Sequence, residues 1–435
     1  MSDVKELIKN KIQANPFSGN GSLQALLKSG LQVLDQEGIP TVKHEEWKYT
    51  RIAGVLNKEY HYAIEPTGLS KKDVDAIRLP GHETANELVF VNGVYHAELS
   101  KILSPKDELD ILPLSEAVKG EYKSIVDQHL GHSAKYHKDG INAMNNVVAY
   151  EGLFISVKKN KKLSHPVYCY YINDTRSSKI LSQPRTLIHI GVNAEVFFVE
   201  EEITLGADDS FINRIAEIVV EENAQLHIYK IQNEDSHSNC VKTTHIRQVG
   251  VSKVNSVTLT LNGGMIRNNL NFILEAPGCE SHMYGLYCVK GETHIDNHTI
   301  VDNVQPNSFS NELYKGIIDE KATAVFNGKI FVRQDAQKTN AYQSNKNVLL
   351  SNEATVNTKP QLEIFADDVK CSHGCTIGRL DEEALFYLRA RGVGEQAAKA
   401  LLLYAFAGEI LEKLELEPIR KYAEEQIAER LGYSF

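Results

Sequence analysis

The chain has 435 residues, 47 Lys and Arg against 57 Asp and Glu for a formal charge of −10, and 42% hydrophobic residues. No basic block relieves the acidic balance, which argues against nucleic acid as a partner. No apolar run reaches the roughly 18 residues of a membrane span either.

The N-terminal "MSDVKELIKNKIQ" is charged where a signal peptide needs an apolar stretch, and six scattered cysteines make no disulfide framework. The expectation is a cytoplasmic chain with reduced thiols. "DVKELIKNKIQ" sets Val4, Leu7, Ile8 and Ile12 at helical spacing, and "SLQALLKSGLQVLDQEG" predicts a helix from a Ser22 cap to Gly38. After Pro40, "KHEEWKYTRI" carries the only tryptophan, Trp47. "ELVFVNGVYHAEL" predicts two short strands about an Asn92-Gly93 turn. A helical connection, "LSEAVKGEYKSIVDQHLGHSAKYH", ends near "DGINAMNNVVAYEGLFISV".

From about Gly152 to Val369 helical periodicity nearly vanishes, and strand-like runs such as "PVYCYYI", "EVFFVEEEI", "QLHIYKIQ" and "AVFNGKIFV" recur. Ala194, Ala224, Cys279, Ala322 and Ala354 each follow a polar or glycine turn and open a strand, as small residues at tight corners would. Their intervals of 30, 55, 43 and 32 have no fixed period. A stacked β-solenoid and a β-sandwich both fit, the solenoid slightly better. Beyond it the chain is helical again. Asp381 caps "EEALFYLRAR", which Gly392 ends; "EQAAKALLLYAFAGEILEKL" follows; Pro418 opens and Gly432 closes the last helix. The middle helix is apolar nearly all round, so a neighbour or a partner covers it. The predicted division is 1–150, mainly helical with a hairpin; 151–370, a strand core; and 371–435, a helical domain.

"VKCSHGCTIG" places Cys371, His373 and Cys375 on one face of a strand. Thiolate and imidazole together suit zinc, copper(I) or an iron–sulfur centre. Only three ligands are local, so a metal site here is open or completed by another chain. The plainer reading is a buried thiol pair with a satisfied histidine, since free cysteines are usually buried. In "THIDNHT", His294, Asp296 and His298 alternate likewise, and a surface polar ladder is the default for such a pattern. His129, His132 and His137 read as a solvated helical face. No P-loop, GxSxG, HExxH or paired CxxC motif is present.

The stretch from "PNSFSNELYKGIIDEKATAVFNGKIFV" through "NTKPQLEIFADDVKCSHGCTIGRLDEEALFYLRARG" resembles the SufB/SufD family of iron–sulfur cluster assembly proteins. "EEWKYT" and "DGINAMN" extend the likeness over nearly the whole chain, and "KCSHG" points to the SufD branch. The resemblance implies a right-handed parallel β-helix core, mainly β, flanked by helical N- and C-terminal domains. It also implies a non-catalytic scaffold in complex with SufB and the ATPase SufC, with SufC docked on the C-terminal helices and self-pairing as a homodimer in isolation. The family's cysteine and histidine fall on Cys371 and His373, which would hold iron or a transient iron–sulfur cluster at the interface with SufB; nothing is carried onto Cys375. The rival readings are a purely structural partner and a β-helix enzyme acting on polysaccharide.

Overall fold

The computed structural model describes residues 6–8, 10, 21–62 and 68–432. Val4 and Ile12 lie outside them; Ile8 is helical and buried. The strand region is a parallel β-solenoid of about 8 turns, which decides between stacked coils and sandwich. Each coil contributes one strand to each of two ten-stranded sheets. The first sheet runs from the hairpin Asn86–Val91 and Val94–Tyr95 through Val167–Asp174, Glu195–Leu205, Gln225–Asn233, Lys253–Asn262, Glu280–Val289, Phe309–Ile318 and Asn340–Leu349 to Lys370–Gly378. The second runs from Leu109–Pro113 through Leu153–Val157, Arg185–Ile190, Ser210–Val220, Ser238–Gln248, Met265–Leu274, His294–Asn303 and Thr323–Val332 to Thr355–Ile364, and its tenth strand, the short Ile180–Ser182, pairs with the start of Ser210–Val220. Pairing is parallel except at the two outermost pairs, Asn86–Val91 with Val94–Tyr95 and Leu109–Pro113 with Leu153–Val157.

The missing period has a simple cause. Ala194, Ala224 and Cys279 precede strands of the first sheet, while Ala322 and Ala354 precede strands of the second. Counted together, two different corners of the coil hide the repeat, and the interval of 55 spans two coils. All five residues are buried in the core between the sheets. Asn193 and Asn223, with φ of 56° and 55°, make the left-handed turn ahead of the first two. Asparagine is among the few non-glycine residues that tolerate that region.

Parallel sheets need cover on both faces, and the two ends of the chain supply it. Helix α1 (Ser22–Gln36), Trp47 and helix α2 (Gly140–Val147) lie over the second sheet, packing on Phe211, Val241 and Met265. Ser22 does not cap α1: Gly21 takes the cap position with φ 85°, and the Ser22 hydroxyl donates to Asp127 instead. Asp139 caps α2 through the Ile141 and Asn142 amides. Gly140 lets that helix meet the α1 exit, since a Cβ there would sit 2.2 Å from the Gly38 carbonyl oxygen.

Helices α3 (Glu382–Ala390), α4 (Glu395–Leu411) and α5 (Glu417–Leu431) follow the solenoid, with the expected Asp381 cap, first-turn Pro418 and terminal Gly432. Leu403, Ala407, Ile410, Ile419, Ala423 and Ile427 cover the first sheet at Tyr229, Val257, Tyr284 and Leu313. The expected boundary at 370/371 falls inside the last strand, which runs to Gly378. Glycine and cysteine alternating with polar residues gave that strand little sign of its length. The hairpin at residues 86–95, placed in the helical N-terminal zone, is part of the first sheet.

Candidate functional site

Cys371, His373 and Cys375 lie on the final strand, Lys370–Gly378, in register with Ala341, Gln343 and Asn345 of the coil beneath. Ala341, Gln343 and Asn345 are buried, and Ala341 belongs to the core, so the row faces the solenoid interior. Among the described residues no strand follows on either sheet. The coil is therefore uncapped: Cys371 is half-buried, while His373 and Cys375 are exposed. Burial pushes the Cys371 thiol up from its ordinary value, the Ala341 backbone hydrogen bond pulling the other way, so in this chain alone it favours the protonated form. Among the described residues no three His, Cys, Asp or Glu side chains converge on a metal position. Whatever binds here needs ligands from elsewhere.

Directly below His373 is a polar row that sequence reading missed. Gln343 donates from Nε2 to Glu312 Oε2 at 2.7 Å, and both side chains are buried. Burial pushes the Glu312 carboxyl up to about 7, against the hydrogen bonds of Thr299 and Gln343. Beside this row, Asn345 and Asn347 bond the Tyr287 hydroxyl at 2.9 and 2.5 Å. The available signal was parity: Glu312 and Gln343 hold core-facing positions in strands whose neighbouring coils put Met283 and His373 there.

The other two clusters are buried networks. Asp296 accepts from Arg267 Nη1 at 2.7 Å and from the Thr50 hydroxyl at 2.5 Å, with His298 Nε2 2.9 Å from its other oxygen. Burial alone would raise this carboxyl, but His298 and Arg267 together hold it far below the carboxylate range. His294 bonds Thr50 at 2.9 Å, and the Arg267 guanidinium lies 4.0 Å from the Trp47 ring centre. The expected surface ladder is thus corrected: the segment around Trp47 covers this face.

The solvated histidine face is corrected too. The short helix Lys123–His129 ends at His129, and Gly131, with φ 82°, turns the chain inward. His129 Nδ1 is 2.6 Å from Arg247 Nη1, His132 Nδ1 2.8 Å from His245 Nε2, and His137 Nε2 2.7 Å from Asn271 Nδ2.

Comparison with known proteins bears on what this architecture belongs to. Residues 171–406 match the family model "SUF system FeS cluster assembly, SufBD core domain", and residues 10–169 match "SufBD protein N-terminal region". The chain belongs to the SufBD family of iron–sulfur cluster assembly proteins. It is similar to SufD of Escherichia coli, at 31% identity over 92% of this chain and 91% of that one. A SufBD family protein of Synechocystis is 30% identical over 96% and 93% of the two chains. The chloroplastic protein ABCI7 of Arabidopsis thaliana is 28% identical over 98% and 89%. The matched SufBD core region contains the solenoid from Tyr171 onward, the Cys371–His373 strand, and the C-terminal helices as far as Phe406.

Proposed function

We propose that this SufBD protein is a non-catalytic scaffold subunit, working with a SufB subunit and the SufC ATPase to build nascent iron–sulfur clusters and pass them on. His373, with Cys371, would hold iron or the growing cluster, which is cargo and not a resident cofactor. The observation carrying this reading is the uncapped last coil, whose interior row ends in an exposed imidazole with no further strand above it among the described residues. Around it, Ile364, Phe365 and Ile377 are exposed. Open strand edges with apolar flanks are features that proteins usually cover. SufB would cover them here and complete the ligand set; a second copy would do so when the chain is alone. A partner's positive groups would also draw the Cys371 thiol toward thiolate.

SufC would dock on the C-terminal helices. No residue of α3 is buried, and Phe386 and Tyr387 are 73% and 57% exposed. From there α4 reaches the solenoid: Lys315 Nζ donates to the Phe406 carbonyl at 2.8 Å and pairs with Glu409 at 2.5 Å. Lys315 lies two strands from the His373 strand. ATP-driven movement of α4 would thus be felt at the site, provided its two positions differ in these contacts.

Among the described residues no helix is long and apolar enough to cross a membrane, and we place the work in the cytoplasm. Family membership removes the motive for a polysaccharide enzyme. A structural partner without a ligand role is separated by one experiment. The His373→Ala complex should assemble and hydrolyse ATP normally, while anaerobic cluster reconstitution, followed by absorbance, falls several-fold. Cys371→Ala should lose part and Cys375→Ala little. Undiminished reconstitution in His373→Ala removes the ligand role.

A further inference from the structure

The interior row that ends at His373 contains a buried acid. In the register of three neighbouring strands, Glu312 lies beneath Gln343 and Gln343 beneath His373, while the coil below Glu312 puts the apolar Met283 in the same row. Two strand spacings set Glu312 roughly 10 Å from His373, backbone to backbone. Glu312 is 1% exposed.

A carboxyl so placed needs support, because burial penalises its charged form. Gln343 Nε2 donates to Glu312 Oε2 at 2.7 Å, and Oε1 has no partner. Gly328, on the facing sheet, makes room for that amide: a Cβ there would lie 2.2 Å from Gln343 Nε2 and 2.8 Å from its Cδ. No cation among the described residues offsets the burial. Thr299 is polar but uncharged, and Tyr314, on the same strand, is held neutral by its own burial. Other buried carboxylates are matched: Glu200 by Arg214, Glu202 by Lys242 and Glu217 by Arg185. Glu312 stands unmatched, at the end of the solenoid that is open to a ligand, with its carboxyl raised to about 7.

A cation bound at His373 would supply the missing match. Across roughly 10 Å at an effective dielectric constant of about 20, each positive charge favours the carboxylate over the acid about tenfold, and two charges about a hundredfold. This attraction acts through space, so the closed carboxyl oxygens need make no contact with the ion.

We propose that Glu312 is the counter-charge of the His373 site: neutral while the site is empty, it releases its proton to the medium as iron binds and remains as a carboxylate beneath the ion. The proposal rests on the ligand role of His373, and the test separates the two.

The full-length protein, in complex with SufB and SufC, is titrated anaerobically with ferrous iron alone. Calorimetry in two buffers of different ionisation enthalpy gives both the affinity and the protons released. Glu312→Gln keeps the shape and still accepts from Gln343, but it cannot ionise. It should bind iron at least about tenfold more weakly than wild type at pH 8. Wild type should release about one more proton per iron than this variant at pH 6, where the acid begins protonated, and almost none more at pH 8. Iron binding lost in His373→Ala but unchanged in Glu312→Gln would overturn the counter-charge and leave the ligand role standing. Weaker binding in Glu312→Gln with an unchanged proton count at pH 6 would overturn it too, leaving Glu312 a support for Gln343. Iron binding that neither substitution alters would remove the ligand role and the counter-charge together.

Discussion

His129 is an instrument for measuring how firmly the N-terminal segment is held. Its imidazole is 3% exposed, and its Nδ1 faces the Arg247 guanidinium at 2.6 Å, a geometry that requires Nδ1 to accept. Burial first, and Arg247 second, lower its pKa from 6.5 to about 4, against the opposing pull of Glu221 and Glu217. The unfolded chain therefore takes up a proton as pH falls below 6.5, while the folded chain declines it until about 4. Stability is lost across that window and no further below it. At 1.36 kcal/mol per unit the whole window is worth about 3 kcal/mol, of which about 2 is gone by pH 5. His129→Gln keeps an acceptor for Arg247 and cannot titrate. Urea unfolding at pH 7 and pH 5, followed by circular dichroism, should show wild type losing about 2 kcal/mol more than the variant on acidification. His132 and His245 titrate in both proteins, so the difference isolates His129 apart from its small coupling to His132. Equal losses would mean that His129 is solvated in the native state and the packing derived for it is wrong.

Glu312 should behave with the opposite sign: its carboxyl is raised to about 7, so its contribution is full below 4.5 and fades as pH rises through 7. Glu312→Gln should therefore lose less stability than wild type between pH 5 and pH 8, by about 1–3 kcal/mol in the same urea assay. Trp47→Ala removes a fully packed ring from beneath Arg267 and should cost about 3–5 kcal/mol, read as a lower thermal midpoint and early proteolysis before Gly140. Phe386→Asp, at an exposed position, should leave the thermal midpoint unchanged and abolish co-purification with SufC; retained SufC would move the docking site off α3. Deleting α3 to α5 is a poorer test, because Tyr229, Val257 and Leu313 would lose their cover.

Local chemistry that acts through the backbone was largely legible in the sequence, the Ser22 cap being the exception. The Asn92-Gly93 hairpin turn, the Asp381 cap and the Gly432 stop all stand where turn and cap preferences put them. So does the alternation of Cys371, His373 and Cys375 on one face, since period two follows from strand geometry alone. What stayed hidden was cover. Neither strand nor helical periodicity can say whether an outward row meets water or another segment, so the His294–His298 strand row and the His129–His137 helical stretch both read as solvated. Each is roofed by residues far off in the chain, Thr50 in one case and Arg247 in the other. Glu312 was missed for a related reason. A carboxylate in a strand is assumed to face outward, and only the register reveals that it does not.

The placing of the C-terminal helices has a consequence for the last coil. Solenoids are quasi-one-dimensional, and their end repeats, with one neighbour instead of two, unravel most easily. Here the chain leaves the final strand at Gly378 and is bolted to the middle of the stack. Glu415 N donates to the Tyr229 hydroxyl at 3.0 Å, and Arg430 reaches the Leu261 carbonyl at 2.7 Å. The terminal coil is therefore a closed loop tethered at both ends. Peeling it away releases less chain entropy than a free tail would gain, so the Cys371–His373 strand can stand open to a partner without coming unwound.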